Sequence, residues 1–432
     1  MKSVYVPWLH MHQPLVWRGD ELIGNLEKML GSEDQKESWE AKIMLRSYKN
    51  PVKYVENLRK ERYPAKIMLD FSGLLLESIE KIKKRLEKMD VDGEKIGNII
   101  KLYKDVMHKY PESIEFAGTA YSHCYFPITP ERDWEYQIEE WRNVFEKLFG
   151  KGNLKNVKGF WLPEMGIPGD DGKLSYLIKL LKNSGYEWLI LPTEALKNEK
   201  QMSFEERVIK TSQPHLLKTN TESIPVIFRI RYDFIDQQAG CDAKGVYEKS
   251  LLAASIFGKI SNKPALVVPA SDGENGNVMM NEFFPSTFER FFKEQINDDV
   301  SSMTVTEFLK NYYQKIDSEI KITEEGSSWI GSHKNWQEGD ERIKINKKIS
   351  QLSQRLDVIG ENLKKLKSDR KIKEKYEYVK NHLLIAETSC YTYWGVDFWF
   401  DQARKLIKLL EKEMDELNYL FDRNLYFKAK QN

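Results

Sequence analysis

The chain predicts an α/β protein, a nearly closed barrel of βα units followed by a helical bundle. Three observations carry this. Up to about residue 300, short apolar runs alternate with segments of helical spacing. Polar or reactive residues stand where several of those runs end. From 340 to 416 the pattern turns continuously helical. At 432 residues the chain exceeds what one core usually accommodates, which calls for a large domain and a smaller one.

The apolar runs are KSVYVPWLH at the start, AKIMLDF at 65–71, SIEFAGTAY at 113–121, VKGFWLPE at 157–164, YEWLILPTE at 186–194 and PALVVPASDG at 264–273. HLLKT at 215–219 and IPVIFRI at 224–230 predict a hairpin or a strand with its return. Helical spacing falls between them, over 73–87, 134–149, 173–184 and 245–259. Strands alternating with helices imply βα units and a parallel sheet, and seven or so strands suggest closure. His10 and His12, Ser72, Ser122 and His123, Glu164, Glu194 and Asp272 stand at or near the ends of these runs. In barrels of this kind the C-terminal strand ends carry the site.

Beyond residue 300, the segment 301–316 predicts a last strand or helix, and GSSWIGSHKNW at 326–336 a loop. From 340 to 416, Ile and Leu recur at three- and four-residue spacing among Lys and Glu, as in RIKINKKISQLSQRL, which predicts a bundle. The run LKKLKSDRKIKEK at 363–375 is most simply a solvated helix face.

Composition narrows the function classes. Hydrophobic residues make up 41% and charged residues 31%, as in ordinary globular proteins. A formal net charge of +1, from 67 basic and 66 acidic residues, argues against nucleic acid as the main partner. Cys124, Cys241 and Cys390 form no CxxC pair, and an odd number completes no disulfide framework. The opening MKSVYVPWLHMHQP is too interrupted for a signal peptide, and no apolar run approaches a membrane span. A cytoplasmic protein without a membrane partner is expected, and the sequence leaves its oligomeric state open.

Two carboxylates stand out. In GFWLPEMGIP, Pro163 ends a strand and leaves Glu164 at its tip. Trp161 precedes it on the same run and faces the other way by strand alternation, unless the proline re-aims them. A carboxylate beside an aromatic ring suits a sugar site, because the ring stacks on the apolar face of a pyranose; a salt bridge at a barrel rim explains Glu164 equally well. In PASDGENGN, Asp272 precedes Gly, and Asp-Gly alone is commonly a tight turn. A calcium loop fails, since the twelfth position is Phe283 where a bidentate Glu is needed. Asp272 gains weight because it and Glu274 follow an apolar strand, where nearby negative charge raises the pKa of a general acid.

His10 and His12 share one face of a strand and can bind a metal or hydrogen-bond sugar hydroxyls. No further His or Cys cluster completes a metal set in the sequence, with His123 on a distant run, so neither metal nor cofactor is expected. Trp329, Trp336, Trp394 and Trp399, with Tyr391 and Tyr393, lie in the last third. Core packing is the simplest account of them, while Gly-flanked aromatics can also reach over a barrel mouth.

Taken together and in order, HMHQP, EFAGTAYSH at 115–123, GFWLPE, SDGEN and SCYTYW resemble the five signatures of glycoside hydrolase family 57, from residue 10 to about residue 400. That family includes α-amylases, 4-α-glucanotransferases, glucan branching enzymes, amylopullulanases and some α-galactosidases. The resemblance implies an incomplete (β/α)7 TIM-like barrel over 1–315, and a C-terminal helical bundle over 316–432 that contributes aromatics to the site. It implies Glu164 as nucleophile and Asp272 as acid/base, with His10, His12, His123, Trp161, Glu274 and Trp394 binding substrate. Tyr391 stands where the fifth signature often carries Asp, and Ala270-Ser271 where the fourth often begins His-Asp. The activity implied is retaining cleavage of an α-1,4-glucan, of the α-amylase type. The chain is short for a branching enzyme, and no starch-binding module is apparent. The alternatives are 4-α-glucanotransferase, α-galactosidase, or a silent carbohydrate-binding homologue. A metal-dependent deacetylase or α-mannosidase would need an Asp-Asp pair with a spaced His pair, or a His-x-Asp near the first strand, and neither occurs.

Overall fold

The computed structural model describes residues 1–230, 242–365 and 370–429. Cys241 and the middle of the basic run at 363–375 lie outside them. The chain is an α/β protein with a helical C-terminal region. Each predicted run contains a strand, and the hairpin forms as His215–Lys218 against Ser223–Arg229, antiparallel.

Ser3–Tyr5 lies between Ala265–Val267 and Val300–Ser302, all parallel. Trp8–Met11 lies between Ala270–Asp272 and Ile67–Phe71, which in turn pairs with Ile114–Phe116. Trp188–Pro192 lies between Gly159–Trp161 and Ser223–Arg229. The ladder breaks between these sheets at Pro7 and Pro269, which have no N–H to donate. Two contacts cross the remaining gaps: a parallel bridge between Gly118 and Phe160, and a bond from Ile230 N–H to the Val268 carbonyl at 3.0 Å.

Alternation sorts the side chains into two layers. Val4, Val6, Trp8, Met68, Trp188, Ile190, Leu266, Val268 and Ala270 gather in one enclosed cluster. Their neighbours Tyr5, Leu9, Leu69, Leu189 and Val267 join a second cluster packed against the surrounding helices. Burial on both faces is why these strands read as unbroken apolar runs.

Helices Gly73–Lys81, Glu131–Phe149, Asp171–Asn183 and Ala243–Phe257 follow strands as predicted. Two helices were not expected from the pattern: Gln35–Lys60, whose apolar positions are diluted by charge, and the π-helical Val278–Phe288 with Pro285 inside. Among the C-terminal helices, Asp340–Lys365 and Arg370–Ala386 pack on each other and on Asp397–Ala429, and both also touch Glu131–Phe149. Their buried Leu384, Leu410 and Leu417 belong to the outer apolar cluster. No helix among the described residues is long and apolar enough to cross a membrane.

Candidate active site

The same alternation aims the site. His10 and His12 continue the inward series Val4, Val6, Trp8. Asp272 continues Leu266, Val268, Ala270, and Asp70 follows Met68. In register, His10 stands between Asp70 and Asp272. Two further groups come from sharp turns: His123 (φ 62°) beyond one strand end, and Glu164 (φ 56°) within the turn Pro163–Met165. A left-handed backbone at a residue other than glycine costs on the order of 1 kcal/mol or more, and such strain concentrates at functional sites.

Glu164 is held by residues far away in sequence. Ser389 Oγ donates to its Oε1 at 2.7 Å, and Trp329 Nε1 donates to its Oε2 at 2.9 Å. Trp329 arrives because Gly326–Ser327 pairs antiparallel with Ile167–Pro168 just past the turn. Gly326 is required there: its φ is +77°, and a Cβ would lie 2.3 Å from the Ile167 carbonyl oxygen. Ser389 arrives because its N–H donates to the His123 carbonyl, beside a bridge between Cys124 and Thr388. Burial raises the pKa of Glu164, the Ser389 bond opposes this, the charge of Asp272 raises it further, and His10 and Trp329 pull it down; the net shift is upward. Its side chain keeps 14% exposure, so the carboxyl is not sealed from solvent.

The three histidines stack. The rings of His12 and His123 are 4.2 Å apart at 8°, and those of His10 and His123 4.8 Å apart at 28°. Burial opposes a charge on His10, but Asp70 by charge and hydrogen bond, then Asp272 and Glu274 by charge, outweigh it and push His10 up to about 9. His12 and His123 are held well below the usual range by burial and by neighbouring imidazole charge. His12 Nδ1 bonds Ser72 Oγ at 2.7 Å, while Ser72 also caps the following helix at Leu75 N–H.

His12, His123 and Cys390, distant in sequence, offer ligand-type atoms within 4.8 Å of one another. The arrangement suits hydrogen bonding better than coordination. Nearly parallel stacked rings direct their lone pairs side by side, and both His123 nitrogens already have partners.

Asp272 is partly exposed and accepts from Asn275 Nδ2 at 2.5 Å. Glu274 turns away from it, its Oε1 accepting from His12 N–H at 2.8 Å and Gln13 Nε2 at 3.2 Å. Burial pushes Glu274 up to about 8 against the pull of Tyr48, His12 N–H and His10. It braces the backbone at His12, and the charge of Asp272 adds to its upward shift.

The aromatics fall out differently from expectation. Trp161 is 4% exposed, with its indole stacked on His10 at 5.0 Å and 7°. The Pro163 turn re-aims Glu164, so both residues face His10. Trp394 is 56% exposed and touches Tyr393 edge-on. Tyr393, raised by burial and by the charges of Glu164 and Asp272, was not singled out as a site residue. Tyr391 is fully buried and donates to the Leu15 carbonyl at 2.8 Å, so this departure from the signature fills core. Ser122 faces Gln137 on the helix side. Asp70, Ser389 and the role of Trp329 were also missed. A lone Asp inside the apolar IMLDF was the one signal for Asp70.

A sequence model of the family described as Glycosyl hydrolase family 57 matches residues 7–322. No curated protein sequence matches. Among solved structures, a branching enzyme of that type from Pyrococcus horikoshii superposes with TM-score 0.69 at 18% identity, covering 98% of this chain and 92% of that one. The α-amylase AmyC from Thermotoga maritima gives 0.66 at 14%, covering 97% and 96%. The 4-α-glucanotransferase from Thermococcus litoralis gives 0.61 at 15%, covering 96% and 60%. At these identities the likeness is one of fold. The chain spans nearly the whole length of the P. horikoshii protein.

Proposed function

Since the chain belongs to glycosyl hydrolase family 57 and is an enzyme of that type, we propose that it is a retaining α-glycosidase. Its substrate would be an α-1,4-glucan, cleaved in the α-amylase manner. The observation that carries this is the setting of Glu164: a strained, partly accessible carboxylate with a fixed donor on each oxygen and the charge of Asp272 acting on it.

In this reading Glu164 attacks the anomeric carbon while Asp272 protonates the departing glycosidic oxygen. A β-linked glycosyl-enzyme forms. Asp272 then takes a proton from water or from a sugar hydroxyl, which attacks and restores the α configuration. Retention by this route calls for carboxyls roughly 5–5.5 Å apart. As the ester breaks, Ser389 and Trp329 stabilise the carboxylate that reappears on Glu164. His12 Nε2, with only a 3.4 Å contact to Thr388, is the ring nitrogen best placed to meet a sugar hydroxyl. Tyr393 and Trp394 would line the outer subsites, and Trp161 backs His10.

The finer architecture belongs to the same proposal. The three sheets form an incomplete (β/α)7 barrel over about 1–315, supported by the Gly118–Phe160 and Ile230–Val268 links and the inner apolar cluster. Residues 316–432 form the bundle that supplies Ser389 and the aromatics. A cytoplasmic location, supported by the free thiols of Cys124 and Cys390, makes a stored or imported glucan the substrate.

Transfer to a second sugar is the competing outcome. Incubation with maltoheptaose separates the two: shorter sugars alone mean hydrolysis, longer ones transfer. An untouched substrate directs attention to galactosides. A parent and a Glu164→Gln variant that both bind glucan without turnover would mean a silent binding protein.

A further inference from the structure

A line of hydrogen bonds runs from a fully buried aspartate to Glu164. Asp70 is 0% exposed; one carboxylate oxygen accepts from Trp8 Nε1 at 2.7 Å and the other meets His10 Nδ1. His10 Nε2 lies 2.8 Å from His123 Nε2. His123 Nδ1 lies 2.9 Å from Ser389 Oγ, which lies 2.7 Å from Glu164 Oε1. Five residues from four strand ends and the C-terminal region thus share four consecutive contacts.

Donor logic fixes the direction of every proton in that line. A carboxylate only accepts, so the Ser389 hydroxyl hydrogen points at Glu164. Ser389 therefore accepts from His123, which must carry its proton on Nδ1. A neutral His123 then has a bare Nε2 and accepts from His10 Nε2–H. His10 holds its second proton on Nδ1, against Asp70, and is the imidazolium. The burial of His123 and the carboxylates of Asp70, Asp272 and Glu164 around His10 favour this assignment, while Glu274, pushed up to about 8, adds its charge above neutral pH. His12, stacked on His123, is kept neutral by the same crowding.

We infer that Asp70 is a positioning residue for the nucleophile, keeping His10 cationic so that a positive charge stands at the head of the line of donors that ends on Glu164. This rests on the reading of Glu164 as nucleophile; the other Asp70 oxygen is taken by the Trp8 N–H. The consequence of removing its charge follows link by link. An amide at position 70 must turn its oxygen to the Trp8 N–H, so its NH2 donates to His10 Nδ1. His10 is then the neutral Nε2–H tautomer and still donates to His123. The line to Ser389 persists, but without the positive charge at its head. Glu164 loses a neighbouring cation that favours its carboxylate.

Ring-nitrogen NMR combined with kinetics tests this. In the parent at neutral pH, His123 should be the Nδ1–H tautomer and His10 doubly protonated; in Asp70→Asn, His10 should be the neutral Nε2–H tautomer and His123 unchanged. On maltoheptaose, Asp70→Asn should lower kcat by ~10- to 100-fold with KM changed less than about threefold, as should Ser389→Ala. Ser389→Thr, which keeps the hydroxyl, should restore most of the rate. Asp70→Asn should also move the acid limb of kcat to higher pH, whereas in Ser389→Ala His10 should stay doubly protonated. A singly protonated His10 in the parent, or a doubly protonated one in Asp70→Asn, would overturn the inference. Should Asp70→Asn fail to fold, the parent tautomers and the Ser389 pair decide it in the same way. The tautomers are read without turnover, so a parent inactive on α-glucans would sink the functional reading while leaving this one measurable.

Discussion

Trp329 reaches Glu164 twice, its indole donating to Oε2 at 2.9 Å and its backbone N–H donating to the Glu164 carbonyl at 3.1 Å. One residue thereby fixes both the strained turn and the carboxylate it presents. Its indole bond also helps to keep Glu164 ionised, partly offsetting burial and the charge of Asp272.

Replacing that donor should show in the pH profile. Trp329→Phe keeps a ring and the backbone bond but leaves Oε2 without its partner. The pKa of Glu164, already raised, should rise further. Attack needs the carboxylate, so activity is lost as pH falls through that value, and the acid limb of kcat/KM should move to higher pH. A loss of about tenfold or more at the optimum is expected. An unmoved acid limb would mean that the indole bond does not tune Glu164.

Glu164→Gln should abolish turnover, by ~10³-fold or more, while leaving glucan binding near the parent value. Calorimetry with maltoheptaose and a reducing-sugar assay read the two separately. Loss of both together would point to a collapsed turn, since Gln cannot accept both donors on equivalent oxygens.

Asp272→Asn should discriminate by leaving group. Sugars leave poorly without a proton, so hydrolysis of an oligosaccharide should fall by ~10²-fold or more. An aryl glucoside with an acidic phenol needs little protonation, and its first step should be much less affected. Equal losses on both substrates would remove Asp272 from the acid/base role.

Stability has a pH dependence of its own at the opposite end of the strands. Glu115 accepts from Thr306 Oγ1 at 2.6 Å, and Thr306 Oγ1 in turn accepts from Trp188 Nε1. Burial, opposed by bonds from Thr304 and Thr306, pushes Glu115 from 4.5 up to about 7. Between these values the unfolded chain is ionised and the folded one protonated, so the folded state loses stability as pH rises through that window. Glu115→Gln should remove that slope and stabilise the protein at pH 8 by about 1–2 kcal/mol, the side chain keeping some contact with solvent. Denaturant melts at pH 5 and pH 8 check it; an unchanged difference between them would refute the assignment.

The fold class and the ends of the inner strands were legible because alternation is local. Once Val4, Val6 and Trp8 point inward, His10 and His12 must follow, and Leu266, Val268 and Ala270 aim Asp272 in the same way. The Pro163 break likewise marked a strand tip with a carboxylate on it. Those are properties of a few consecutive residues, and the sequence determined them by itself.

What it could not determine is which distant groups touch those residues. Ser389, Trp329 and Asp70 sit in segments separated from Glu164 by 225, 165 and 94 positions, and no periodicity encodes such meetings. Trp394, the aromatic chosen from its motif, is largely exposed, while Trp329 from the loop at 326–336 makes the bond. Asp70 looked like a flaw in an apolar strand until register put it beside His10. Contacts of this kind are set by the packing of sheets, loops and bundle around a shared interior, so tertiary structure alone decided the protonation state of the histidines and the orientation of the nucleophile.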